Sequence, residues 1–158
     1  MIYLTSFCNN FNMDKIARIL DANLNRGREG LRVVEDLVRF LLNDTELASK
    51  LKSARHKITI IAKQLPINDT ELLCSRDSQR DVGKDIKSSS ETIRTDILQI
   101  ATANIRRSQE SMRVLEEISK LYDAKASLEF KKLRYELYEL EKQVNISLTK
   151  SQMKGNLA

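Results

Sequence analysis

The sequence predicts an all-α protein, and more specifically a four-helix bundle built from two repeated long-helix hairpins. The 158 residues include one proline and four glycines, and such a composition favours helices over sheets. Apolar residues recur at three- and four-residue steps, which is the period of a helix with one buried face. A long phrase in the first half also returns 81 positions later. An approximate two-fold axis is therefore expected to relate residues 14–65 to residues 95–148.

The first helix is predicted to begin at Asn12 or Asp14, either of which can cap it, and to run to about Leu42. Asp44 can cap a second helix over residues 45–64, which ends because the residue before Pro66 is disfavoured in a helix. The apolar stripe of the first helix is Ile16, Ile19, Leu20, Leu24, Leu31, Val34, Leu37, Val38 and Leu41.

Residues 66–90 are predicted to form a polar loop, because they contain many turn formers and no helical period. Ser88 followed by Glu91 is typical of a capping box and predicts a third helix that runs to about Leu121. After a short turn, a fourth helix is predicted over residues 127–148, with Leu133, Leu137, Leu140 and Val144 as its stripe.

The expected organisation is one helical domain over residues 13–148, made of repeat one (14–65), the loop (66–90) and repeat two (91–148). Residues 1–12 are expected to be a flexible extension and residues 149–158 a disordered tail. No apolar run approaches the roughly 20 residues of a membrane span, and the opening segment lacks the basic region of a signal peptide. Two cysteines are too few for a disulfide framework. A cytoplasmic protein without a membrane partner is the expectation.

The repeated phrase covers residues 22–36 and 103–117, and its polar residues recur more faithfully than its apolar ones. A repeat that only built a core would need the apolar pattern alone. The recurrence of the polar residues as a set therefore favours a functional site. For any single residue, a solvated surface pair worth a few tenths of a kcal/mol is the simpler interpretation. The matching polar residues are Asn23 with Asn104, Arg26 with Arg107, Glu29 with Glu110, Arg32 with Arg113, and Glu35 with Glu116.

Gly27 and Gly30 correspond to Ser108 and Ser111, so both copies keep small residues at these positions. A close helix crossing and the approach of a ligand to the backbone are both open interpretations. Asn23 lies on the apolar face and must find hydrogen bonds. We expect it, like Asn104, to bond the other copy's helix or to hold a ligand.

The loop segment from Arg76 to Lys84 mixes acidic and basic residues around one glycine. Asp77 and Asp81, with cations nearby, suit a Mg²⁺–phosphate ligand, although such loops often only connect helices. The net charge of +5 indicates an affinity for anions without choosing among them. His56, the only histidine, matches Tyr135 in the other copy and is interpreted as a packed or surface aromatic residue.

Three segments together resemble a known family: Asn25 to Asp36 (NRGREGLRVVED), Arg76 to Gly83, and Arg113 to Leu121. The chain resembles the monofunctional hydroxymethylpyrimidine phosphate kinases of thiamine biosynthesis, which are often fused ahead of thiamine-phosphate synthase. The resemblance covers about residues 14–147. Gly27 stands where alanine is expected, and Lys84 stands where a small hydroxyl residue is expected. No synthase barrel follows, so a standalone member is expected.

The resemblance implies transfer of the ATP γ-phosphoryl group to 4-amino-5-hydroxymethyl-2-methylpyrimidine monophosphate, with Mg²⁺ and with ATP as co-substrate. The acceptor phosphate is already ionised at neutral pH, so cations and placement matter more than a general base. The candidate catalytic cations are Arg32, Arg113 and Lys120. The candidate phosphate-binding residues are Asn23, Arg26, Arg76, Gly83, Asn104 and Arg107, and the candidate Mg²⁺ ligands are Glu29, Asp77, Asp81 and Glu110.

The sequence alone leaves three other functions open. The first is a non-catalytic helical interaction or regulatory module that partners thiamine-phosphate synthase. The second is a nucleic-acid binder, which the sequence disfavours because aromatic residues are not interleaved with the basic ones. The third is another all-α enzyme with an Arg/Glu-lined pocket, such as a mutase of the chorismate type. Small-molecule phosphates are the expected ligands, and the sequence leaves open whether the chain forms a homodimer.

Overall fold

The structure is a computed structural model that describes residues 3–83 and 93–155. Within these ranges every regular element is helical and no strand occurs, which confirms the all-α prediction. None of the helices in the described part of the chain combines the length and the apolar character that a membrane crossing needs. The elements are α1 (Tyr3–Leu37), a π-helical turn (Val38–Leu42), α2 (Thr45–Ala62), α3 (Asp69–Cys74), α4 (Ile97–Ser119) and α5 (Ala124–Met153).

The four long helices pack around one apolar core. Helix α1 contacts α2 and α4, and α5 contacts the same two helices, so the contacts close into a ring. The predicted stripe of the fourth helix is buried in full, namely Leu133, Leu137, Leu140 and Val144. From α1 and its π-helical turn, the core receives Leu20, Leu24, Leu31, Val34 and Val38. The approximate two-fold symmetry of the bundle stays a prediction.

Two residues of the predicted first stripe lie outside this core. Leu41 is exposed because the π-helical turn is wider than an α-turn and changes which residue faces inward. Leu42 packs partly against the core instead. Ile19 is exposed because it lies about 100° around the helix from buried Leu20.

Both ends of the helical region differ from the sequence expectation. Helix α1 begins at Tyr3, not at a cap on Asn12 or Asp14 after a flexible extension over residues 1–12. Residues 3–12 contain neither glycine nor proline, and lengthening a formed helix costs little. Helix α5 runs past Leu148 to Met153, into the segment expected to be a disordered tail. It ends next to Gly155, whose φ of 71° is typical of a residue that terminates a helix.

The side-chain caps explain where the other helices begin. Asp44 accepts a hydrogen bond from Leu47 N at 2.9 Å, which confirms the predicted start of α2. Asp96 caps α4 by accepting from Gln99 N at 2.8 Å, whereas the predicted Ser88–Glu91 capping box lies outside the described residues. Asp123 caps α5, which begins at Ala124, three residues before the predicted start.

The predicted loop also contains a short helix. Asn68 and Glu71 form a reciprocal capping box, with Asn68 Oδ1 accepting from Glu71 N and Glu71 Oε2 accepting from Asn68 N. These two hydrogen bonds fix the first turn of α3. The sequence did not predict this helix, because residues 66–90 contain many turn formers.

Candidate ligand-binding cleft between α1 and α4

Helices α1 and α4 cross closely at the two helical glycines. A Cβ atom at Gly30 would lie 2.5 Å from both Asn104 O and Ser108 Oγ, and one at Gly27 would lie 2.7 Å from Met112 Cε. Ser108 Oγ also donates to Gly27 O across the crossing at 3.1 Å. A Cβ atom is therefore excluded by backbone at Gly30 and meets only side-chain ends at Gly27. The close approach of the two helices at Gly30 confirms the helix-crossing interpretation.

A cleft of about 760 Å³ lies alongside this crossing, and ten residues line it. They form five pairs, each separated by the 81 positions of the sequence repeat. The pairs are Asn23 with Asn104, Arg26 with Arg107, Glu29 with Glu110, Gly30 with Ser111, and Val33 with Val114. The repeat therefore brings its matching positions from α1 and α4 to one shared surface.

The two asparagines of the cleft make the same hydrogen bond in each repeat. Asn23 Nδ2 donates to Ile19 O at 2.9 Å, and Asn104 Nδ2 donates to Ile100 O at 2.8 Å. Each amide is anchored to its own helix, so the expected bond to the other copy's helix does not form. Each side chain keeps its oxygen and a second N–H without a hydrogen bond to another described residue, and both can face a ligand.

Charged side chains of both signs lie along the cleft. Arg26, Glu29 and Glu110 are exposed, and within the described ranges they make no hydrogen bond or ion pair. Hydrogen bonds from Arg76 to Asp21, both at 2.8 Å, raise the pKa of Arg76 above its ordinary value, and the charge of Glu29 adds to this effect.

The three candidate catalytic cations do not line the cleft. Arg32 Nε donates to Asp36 Oδ2 at 3.0 Å, and Arg113 Nη1 donates to Glu116 Oε1 at 2.7 Å. Lys120 Nζ donates to Glu117 at 2.7 Å. Each of these cations therefore has a carboxylate partner three or four residues earlier or later in the chain, and all three partners lie on α1 or α4.

Glu35 and Glu116 have a structural role that the sequence did not reveal. Arg55 Nε of α2 donates to Glu35 at 2.9 Å, and Arg134 of α5 donates to Glu116 at 3.1 Å from Nε and 2.9 Å from Nη2. Arg55 and Arg134 are themselves matching residues of the second and fourth helices. These pairs, in which the glutamate is buried and the arginine partly buried, join the two helices of each hairpin. They explain one part of the polar repeat without a ligand.

The loop residues expected to bind phosphate or metal do not line the cleft. Asp77 O accepts from Arg18 Nη2 at 2.8 Å, and Asp81 Oδ1 accepts from Gly83 N at 2.9 Å. Among residues 3–83 and 93–155 there is no group of three or more side chains of the metal-ligating types. Of the four proposed Mg²⁺ ligands, Glu29 and Glu110 share the cleft while Asp77 and Asp81 lie in the loop.

Known proteins resemble most of the chain. A thiamine-phosphate synthase from a Synechocystis species is 44% identical over 126 residues, which are 80% of this chain and 35% of that protein. One from Rhodopirellula baltica is 35% identical over 133 residues, which are 84% of this chain and 35% of that protein. One from a Nostoc species is 40% identical over 126 residues, which are 80% of this chain and 34% of that protein. The chain thus spans about a third of the length of these relatives. No solved structure matches it significantly.

These relatives correct the function that the resemblance implied. Their name is that of a synthase. The prediction that the chain phosphorylates the pyrimidine monophosphate with ATP is therefore wrong. The connection to proteins of thiamine biosynthesis is retained. The model of the ThiD2 family matches residues 18–143, which include both copies of the repeated phrase and the whole cleft. The chain therefore belongs to the ThiD2 family.

Proposed function

We propose that the chain is a ligand-binding domain of thiamine biosynthesis that acts together with thiamine-phosphate synthase. Its cleft binds a phosphorylated small molecule of that pathway. The observation that carries this proposal is the convergence of five repeat-related residue pairs on one cleft. The relatives' name supports thiamine phosphate as the first ligand to test.

The chemistry of the cleft suits a phosphate ester attached to nitrogen-containing rings. Arg26 and Arg107 contribute guanidinium groups, which stay charged and bind phosphate through two parallel hydrogen bonds. The asparagine amides can bond to ring nitrogens and amino groups, and the carboxylates of Glu29 and Glu110 favour a cationic ring. Val33 and Val114 provide apolar contact for a ring face.

Mg²⁺ fits the same proposal through Glu29 and Glu110. Magnesium is usually held by one or two protein carboxylates together with phosphate oxygens, and these two side chains are the carboxylates that line the cleft. The ion would join the ligand's phosphate to the protein and neutralise part of its charge.

An approximate two-fold axis through the crossing of α1 and α4 belongs to the proposal. It is supported by matching interactions in the two halves, namely the asparagine bonds to the preceding turn and the two buried Arg–Glu pairs. A cleft on such an axis presents chemically similar edges from the two repeats, with Arg26 on one edge and Arg107 on the other.

Isothermal titration of the protein with thiamine phosphate tests the function. Arg107→Ala should weaken binding roughly tenfold or more, because a hydrogen-bonded charge on the phosphate is lost. Arg106→Ala is the matched control, since Arg106 is the neighbouring arginine and its Nε bonds Glu141 at 2.9 Å instead. Equal weakening by both variants, or equal binding of thiamine and thiamine phosphate, would contradict the proposal.

Association with the synthase needs a separate measurement. Sedimentation velocity of the chain alone and mixed with a purified thiamine-phosphate synthase should show a faster-sedimenting complex in the mixture. The chain alone reports in the same experiment whether it is a monomer or a homodimer. Independent sedimentation of the two proteins at all concentrations would contradict the proposed association. The titration tests ligand binding separately.

A further inference from the structure

A second cavity lies on the other side of α1, between the end of α2 and α3. We call it the α3 pocket. Its volume is about 490 Å³, and it shares no lining residue with the cleft. It is lined by Leu24, Arg28, Thr59, Ala62, Lys63, Leu65, Pro66, Ile67, Asn68, Asp69, Glu71 and Leu72.

The matching place in the second half of the chain is occupied by protein side chains. There Glu141 accepts two hydrogen bonds, from Gln109 Nε2 at 2.8 Å and from Arg106 Nε at 2.9 Å. Gln109 is buried, and the side chain of Glu141 is only 17% exposed. The carboxylate of Glu141 therefore links α5 to α4 in a closed polar network.

The first half lacks the carboxylate of this network. By the register that matches Lys63 with Lys142, Ala62 corresponds to Glu141 and Thr59 corresponds to the larger Tyr138. Arg28 corresponds to Gln109. The carboxylate of Glu141 is thus replaced by the methyl group of Ala62 next to an arginine, which leaves space in the α3 pocket.

Arg28 lacks a carboxylate partner within the described ranges. Its Nη2 donates to Asn25 Oδ1 at 3.0 Å and its Nη1 lies 3.4 Å from Thr59 Oγ1, so both partners are neutral. Lys63 is a second cation on the pocket wall. A partly buried guanidinium gains most from an ionised acceptor, because charge-assisted hydrogen bonds are the stronger kind.

We propose that the α3 pocket is a second ligand site, in which the carboxylate of a small amphipathic acid occupies the place that Glu141 takes in the other half. Arg28 binds the carboxylate, and the walls formed by Leu24, Leu65 and Ile67 contact an apolar body. A ligand with one negative charge is preferred over a ligand with two, because the carboxylates of Asp69 and Glu71 also line the pocket and repel a second charge. Glu71 Oε2 already accepts a hydrogen bond from Asn68 N. The site does not depend on the function proposed for the cleft.

The test is an NMR titration of the full chain with benzoate, and with neutral benzamide as a probe of the same shape. Benzoate should produce saturable amide shifts around Thr59 and Lys63, and benzamide should bind roughly tenfold more weakly or not at all. Arg28→Gln installs the side chain found at the matching position 109, and Ala62→Glu installs the carboxylate found at position 141. Each variant should weaken benzoate binding roughly tenfold or more.

Two controls keep the result specific. Circular dichroism must show that both variants remain folded, and Ala62→Glu should also raise the melting temperature because its carboxylate can pair with Arg28. Arg107→Ala, in the cleft, should leave benzoate binding unchanged. The proposal is overturned if benzoate causes no saturable shifts near Thr59 up to its solubility limit, if benzamide binds equally well, or if folded variants retain full affinity.

Discussion

The close crossing of α1 and α4 makes a quantitative prediction for Gly30→Ala. The new Cβ would lie 2.5 Å from Asn104 O, which is backbone, and 2.5 Å from Ser108 Oγ. Overpacking of this kind costs about 1–3 kcal/mol, and a contact with backbone falls toward the upper end because the helix itself must shift. The better helix propensity of alanine returns about 1 kcal/mol. We therefore expect a net loss of about 1–2 kcal/mol.

Gly27→Ala is the matched control. Its Cβ would lie 2.7 Å from Met112 Cε and 3.3 Å from Ile58 Cδ1, both at the ends of flexible side chains. Methionine adapts to such intrusions at small cost, so the gain in propensity should leave the free energy of unfolding within about 1 kcal/mol of wild type.

Urea unfolding followed by circular dichroism measures both variants. In thermal unfolding, the expected loss for Gly30→Ala corresponds to a decrease in melting temperature of roughly 2–8 °C for a chain of this size. Because Gly30 also lines the cleft, Gly30→Ala should weaken thiamine phosphate binding as well. If the Gly30→Ala protein is as stable as the Gly27→Ala protein, the two helices do not meet at their backbones next to Gly30.

Three further predictions concern other interactions. Arg134→Met should lower the free energy of unfolding by about 1–3 kcal/mol, because the buried carboxylate of Glu116 loses two charge-assisted hydrogen bonds and keeps the one from Arg113; an unchanged urea transition would contradict this. Asp96→Ala should cost about 1 kcal/mol in the same assay through loss of the α4 cap, and an unchanged transition would show that another residue caps the helix. Arg32→Ala should leave thiamine phosphate affinity unchanged because Arg32 bonds Asp36 outside the cleft, whereas a loss matching that of Arg26→Ala in calorimetry would place Arg32 at the ligand.

Much of the fold could be predicted because the apolar period is a direct consequence of helix geometry. The stripe from Leu133 to Val144 is buried as expected, and Asp44 caps α2 as expected. The ends of the helices were harder to predict, because capping depends on single hydrogen bonds that several nearby residues could make. Asp96 was missed in this way. The exposure of Leu41 could not be foreseen, since a π-helical turn has no clear sequence signal.

The repeat predicted several of the residues that line the cleft, but not where each repeated side chain points. Arg26 and Arg32 are equally repeated, yet only Arg26 lines the cleft while Arg32 bonds Asp36. The difference depends on where α4 packs against α1, which a single helix does not reveal. Val33 was not singled out either, although its repeat as Val114 was a usable signal. The α3 pocket could not be predicted from the matching residues, because it lies where the two copies differ.

A crystal structure of the chain with thiamine phosphate would show whether the cleft between α1 and α4 is the ligand site. We expect the phosphate group to lie in the cleft between α1 and α4, within hydrogen-bonding distance of Arg26 and Arg107, with Asn23 or Asn104 against a ring. Thiamine phosphate bound at saturating occupancy anywhere else on the protein, with the cleft empty, would contradict it.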